Sequence, residues 1–183
     1  MTETPESRPT ILLEAIAAEI EAFAGQAGWD QRPSLFALVP TRVLAADPAA
    51  QPLLEGVPEL DEIPDEAITP VAQEDLPDAP LDEALAQIGW PAEVIGCALC
   101  QEIVMLPPSA EAELADLDVD QAASRVSDHP GRQEARLVVA VLRDGQAASI
   151  LRLRGSAGGA EDLLTGPDLA PNLVAALAAT LVD

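Results

Sequence analysis

Cys97-Ala98-Leu99-Cys100 carries both cysteines of the chain, at the CxxC spacing used by dithiol redox sites and by half of a zinc site. A redox pair needs its first thiolate at a helix N-terminus, where the local positive potential lowers its pKa. Here the pair lies in an apolar run that reads as a strand, and strand positions three apart point to opposite faces. A zinc site needs two further ligands, and beyond carboxylates only the single histidine, His129, is on offer. The spacing therefore predicts buried, unreactive thiols.

Asp116, Asp118 and Asp120 begin like a calcium loop. The sixth position, where the loop requires glycine, is Gln121, and the twelfth is Ser127 in place of Glu. A solvated helix end or loop is expected instead. His129 lies near Asp128 and Glu134 and belongs to a residue type that titrates near neutrality, as a general base must. No GxSxG or comparable nucleophile motif accompanies it, and Ser156 sits in a plain glycine-rich loop. Catalytic, cofactor-binding and metal-ligating sets are all assigned as none, and no cofactor is expected.

Arg136, Arg143, Arg152 and Arg154 are the charges of most interest. Six of the nine arginines lie between Arg125 and Arg154, where only Asp128, Glu134 and Asp144 oppose them. His129, Arg136, Arg152 and Arg154 are the candidate contacts for an anion or small ligand. The cheaper arrangement is that these arginines offset the acidic stretch at 48–80.

Composition narrows the function classes. The net charge is −23 over 183 residues, which repels phosphate backbones and anionic membranes. Four aromatic residues, none of them Tyr, leave little for base stacking, so neither a nucleic acid nor a membrane is expected as partner. All nine basic residues are Arg. Without Lys there is no P-loop, no Schiff-base or pyridoxal chemistry and no protein-kinase constellation. The N-terminus does not read as a signal peptide, and no apolar run is long enough to span a bilayer, so a soluble, cytoplasmic protein is expected.

The elements that must position these residues follow from periodicity. Thr10 to Ala27 reads as an amphipathic helix with Leu12, Ile16, Ile20, Phe23 and Ala27 on its apolar stripe. Gly28-Trp29 and a short strand, Leu35 to Val39, come next, then a brief helix from Thr41 to Ala46. The segment 48–80 is proline-rich and acidic with no positive charge, and reads as an extended surface loop or insertion. Leu81 to Ile88 is a helix, followed by Gly89-Trp90 and a strand from Val94 to Leu106. Each Trp is expected to pin a helix end to the sheet. Ser109 caps a short helix to Leu117, a polar loop leads on, Gly155 to Gly159 is a flexible connection, and Asp168 opens the last helix.

The centre of the chain is Gln133 to Arg154, two apolar runs flanking Asp144-Gly145, a preferred dipeptide of two-residue hairpin turns. That loop sets Val139 beside Ile150 and Arg136 opposite Leu153, and assigns Arg152 and Arg154 to different faces. The hairpin is apolar on both sides, so one face needs a helical cover and the other a second layer or a partner. Leu137, Val139, Val141 and Ile150 form the candidate partner-binding or dimer face.

The strings GWDQRPSLFALVP, GWPAEVIGCAL with QEIVMLPP, EARLVVAVLRDG and LLTGPDLAP together resemble an uncharacterised family of small acidic actinobacterial proteins with no assigned activity. The resemblance covers most of the chain outside 48–80. It implies a high-GC Gram-positive source and carries over no functional residues.

The expected fold is a single α+β domain over 1–183: an antiparallel sheet of about four strands, covered on one face by the N- and C-terminal helices. The element order is similar to that of small acidic secretion chaperones, an analogy of fold alone. The leading functional expectation is a non-enzymatic protein-binding or adaptor module, its partner another protein or a second copy of the chain as a homodimer. The alternative is a small-molecule binder or enzyme with a site near His129 and the hairpin arginines. An acidic DNA mimic fits poorly, because the prolines around the carboxylates oppose one rigid face.

Overall fold

Side chains alternate along a strand, so a hairpin apolar on both sides demands two covering layers. A computed structural model of the protein describes residues 7–54, 56, 59–155, 163–166 and 169–182 and shows both layers in place. The strands are β1 (Ser34–Pro40), β2 (Ile68–Ala72), β3 (Gly96–Met105), β4 (Gln133–Leu142), β5 (Ala147–Leu153) and β6 (Leu163–Thr165). They form one sheet in the order β2-β1-β3-β4-β5-β6, with every neighbouring pair antiparallel. Among the described residues the sheet thus has six strands where about four were expected. The two additions, β2 and β6, are its edges.

Helix α1 (Ser7–Gln26) packs on one face, where Leu13, Ile16, Ala17 and Ile20 meet Phe36, Leu38, Val138, Ala140 and Ile150. Helix α6 (Pro171–Thr180) packs on the other, where Leu177 and the following Leu181 meet Cys97, Leu99, Val139 and Val141. The terminal helices therefore cover opposite faces, not the same one. The physical reason is that both faces of β4 are apolar, and each helix buries one. Helix α3 (Leu81–Leu85) shares the α6 face, and α2 (Thr41–Ala46) closes its β1 end with Ala37, Val39 and Val94.

The hairpin turn differs from expectation by one residue. Leu142 N donates to Gln146 O at 2.8 Å and Gly145 N to Leu142 O at 3.0 Å, which makes a three-residue loop, Arg143-Asp144-Gly145. Gly145 takes φ +91°, the left-handed position such loops require. The Asp144 carboxylate accepts from Gln146 N at 3.0 Å and steadies the longer turn. The extra residue shifts the register: Val138 faces Ile150, Val139 faces Ser149, and Arg136 faces Arg152. A slip of one residue exchanges the faces of a whole strand, and Ile150 moves to the α1 side.

Between β3 and β4 along the chain come α4 (Pro108–Leu114) and α5 (Val119–Asp128). The latter occupies the stretch read as a polar loop. Asp118 caps it, its carboxylate accepting from Gln121 N at 2.8 Å. Of the carboxylates that imitate a calcium loop, Asp118 is thus a helix cap. The segment 48–80, expected as a loop, holds β2 and two short 3-10 turns, Gln51–Leu53 and Leu60–Glu62. Of the expected flexible connection, Ser156 to Gly159 lie outside the described residues, as does Asp168.

Candidate functional site

The corrected register brings the hairpin arginines together. Arg136 and Arg152 face each other across β4 and β5, and both reach Glu21 on α1. Glu21 Oε1 accepts from Arg136 Nη1 at 3.1 Å and from Arg152 Nε at 2.9 Å. Arg136 Nη2 donates to Gly28 O at 2.6 Å. Its guanidinium stacks on Trp29, 4.5 Å from the ring centroid, and that of Arg154 lies 5.4 Å from the same ring. All three arginines therefore gather on one side of the sheet; Arg152 and Arg154, expected on different faces, share one because residues two apart along a strand point the same way whatever the register.

Arg154 is held at the rim. Its Nη1 donates to Asp30 Oδ1 at 2.9 Å and to Glu134 Oε2 at 2.7 Å, and its Nη2 to Asp30 Oδ2 at 3.1 Å. The hydrogen bond and charge of Arg154 hold the Asp30 carboxyl below its ordinary range. Asp30 takes φ +66°, a left-handed conformation that Asp tolerates better than most residues. Glu102 fixes that turn by accepting from Asp30 N at 2.9 Å and Gln31 N at 3.1 Å. A cleft of about 380 Å³ opens above this network, lined by Glu21, Gly25, Trp29, Arg136, Arg152 and Leu153.

These arginines bind α1 and its following turn to the hairpin. Among the described residues, the ion pairs of the acidic segment run to Arg32, with Asp78 at 3.7 Å, and Arg42, with Asp65 at 3.1 Å. His129 stands apart from the cluster in its bonding. It ends α5, and its Nδ1 accepts from Gly131 N at 2.9 Å within its own loop. Arg143, grouped with the others by sequence, works at the far end of the hairpin. It donates to Val94 O at 2.8 Å and also to Leu181 O, tying the end of α6 to the loop before β3.

The four residues expected to face a partner are buried within the chain. Leu137, Val139 and Val141 lie under α6, and Ile150 lies under α1. Cys97 and Cys100 are also buried, on opposite faces of β3, as strand alternation requires. Burial pushes both thiols up, Cys100 to about 11. Cys97 Sγ lies 3.6 Å from Thr180 Oγ1, the same hydroxyl that accepts from Trp90 Nε1 at 3.0 Å. Among the described residues, no group of three or more His, Cys, Asp and Glu side chains is placed to hold a metal ion.

A different surface was missed. Helix α1 lies mainly over β4 and β5, which leaves a seam between its flank and the β1–β2 ladder. The floor of the seam is the half-buried Ile68 and Pro70 and the exposed Ala72 of β2 with the half-buried Pro40 of β1, while Leu38 and Phe36, the β1 partners of Pro70 and Ala72, lie buried beneath α1. A hollow of about 120 Å³ lies at one end, lined by Ile20, Phe23, Phe36, Pro70 and Ala72. A second, of about 230 Å³, lies at the other, lined by Leu12, Leu13, Pro40, Ile68 and Leu142 among others. Phe23 stands edge-on to Phe36 with centroids 6.3 Å apart, and remains 59% exposed. Periodicity assigns Phe23 to the buried stripe, and only the off-centre seating of α1 brings it out.

A family model described as PPA1309-like protein matches residues 13–182, nearly the whole chain. No curated protein and no solved structure matches it. With a match of that extent, the chain belongs to the PPA1309-like protein family, an uncharacterised family with no assigned activity.

Proposed function

We propose that this chain is a non-enzymatic protein-binding module, and that it takes its partner on the seam between α1 and the β1–β2 ladder. The observation that carries the reading is Phe23. The chain has only two phenylalanines, and one of them lies 59% exposed beside an apolar hollow at the edge of the sheet. Large aromatic side chains next to pockets are the usual anchors of protein interfaces. The residues expected to serve as a partner face are covered by α1 and α6, so the contact surface moves to the flank that α1 leaves open.

A reading as a small-molecule site rests on the cleft over Trp29. It is the weaker one, because Arg136 and Arg154 already spend their donors on Glu21, Gly28, Asp30 and Glu134. His129, the general base that such a site would use, is turned into its own loop.

The test is a pull-down from native lysate with the tagged chain and its Phe23→Ser variant side by side at high salt, where charge-driven capture by an acidic bait is screened. A stoichiometric partner that the variant loses is the expected result. Equal recovery by both proteins would place the contact elsewhere.

A further inference from the structure

We infer that the occupant of this seam is an amphipathic helix of a partner protein carrying basic residues along its flanks; this rests on the protein-binding reading above. Three features of the seam select it.

The first feature excludes strand addition. Thr41 N donates to Ala67 O and Gln73 N to Leu35 O, both at 2.9 Å. In an antiparallel ladder the bonded residues alternate, so Ile68, Pro70 and Ala72 turn their backbone groups to the side of β2 that pairs with no strand among the described residues. The middle one is a proline and has no N–H to give. An incoming strand would lose its central bond, the usual way in which an edge is closed to pairing. A partner here must dock on the face, through side chains.

The second is shape. Leu12, Ala15, Glu19 and Phe23 follow one flank of α1 at helical spacing, with Ala15, Glu19 and Phe23 exposed and Leu12 half-buried. Leu12 and Phe23 reach the two hollows, about 16 Å apart along the helix. Ala15 between them lets another backbone approach closely. Two apolar anchors about three turns apart on one face suit a helix laid in a groove.

The third is charge. Glu19 borders the smaller hollow, and Asp65, Glu66 and Asp144 border the larger. Arg42 pairs with Asp65, and the chain as a whole carries −23. An acidic helix would be repelled here, and a basic one steered in.

The experiment titrates the full chain with three capped peptides of about 14 residues, long enough to fold once docked. One is a Leu/Lys peptide with leucines at amphipathic helical spacing. The second has the same composition scrambled, and the third is the patterned sequence with Glu for Lys. At physiological salt the patterned Leu/Lys peptide should bind about tenfold tighter than the scrambled one and gain helical circular dichroism on binding. The Phe23→Ser variant should weaken it by about fivefold or more. Equal affinity for the patterned and scrambled basic peptides would overturn the inference, since charge alone would then explain binding. Phe23-dependent binding of the Leu/Glu peptide would overturn the basic partner while leaving the seam as a protein-binding surface. Failure of every peptide, with the chain self-associating through Phe23 in sedimentation, would replace the partner helix by a second copy. Failure of every peptide without self-association would remove the protein-binding reading itself.

Discussion

Arg136 on β4 and Glu21 on α1 are 115 positions apart in sequence and meet at 3.1 Å, each only about 3% exposed. A buried ion pair adds little net stability, because desolvation offsets the attraction. Removing one partner is costly, because the other charge stays behind. Glu21→Ala leaves the buried Arg136 without its carboxylate and takes the same acceptor from Arg152, and should destabilise the chain by about 3–5 kcal/mol in urea unfolding. Phe23→Ser, at an exposed site, should cost less than about 1 kcal/mol. Similar losses for the two variants would contradict this account of the network.

Arg143 joins the hairpin tip to the end of α6, where backbone carbonyls have no helical partner. Its rigid planar fork reaches Val94 O and Leu181 O together, a geometry that a lysine ammonium on a flexible stem does not hold. Arg143→Ala should lower stability by about 1.5–3 kcal/mol, and Arg143→Lys should recover only part of it. Hydrogen exchange read at 177–182 should rise in both variants.

The cysteines should be silent in the folded chain. Burial raises both thiols, so neither forms a thiolate near neutral pH. A thiol reagent at pH 8 should label Cys97 and Cys100 only at the rate of unfolding. The linkage has a definite sign: Cys100 holds its proton more tightly folded than unfolded. Its contribution is constant below pH 9 and is lost as pH rises from 9 towards about 11. Replacing Cys100 by Ala should remove that part of the alkaline decline.

Pro70 guards the edge of the sheet. Pro70→Val would restore the outward N–H in the middle of β2 and create an apolar edge open to pairing. Concentration-dependent association should follow in light scattering, with the monomer's far-ultraviolet spectrum unchanged. A variant that stays monomeric at high concentration would mean that the edge is closed by something other than the proline.

Most of the element order was legible in the sequence, because apolar spacing reports local geometry. Leu35 to Val39, Thr41 to Ala46 and the two runs around Asp144-Gly145 fall where their patterns place them. What failed was register and layering. Asp-Gly is compatible with loops of two and of three residues, and the carboxylate of Asp144 selects the longer one through Gln146. That single residue carried Ile150 to the other face and brought Arg136 to Arg152. Strand β2 was hidden because an edge strand with a central proline and flanking carboxylates has the composition of a loop. The seam at Phe23 was hidden for another reason: periodicity says which side of a helix is apolar, not where the helix sits over its sheet.

The most direct test of the seam is amide hydrogen exchange of the chain with and without the patterned Leu/Lys peptide. Added protection is expected in 12–23 and 68–72, with little change around Trp29 and in α6. Protection centred instead on Trp29, Arg136 and Arg152 would contradict a docking role for the seam and return the function to the arginine cleft.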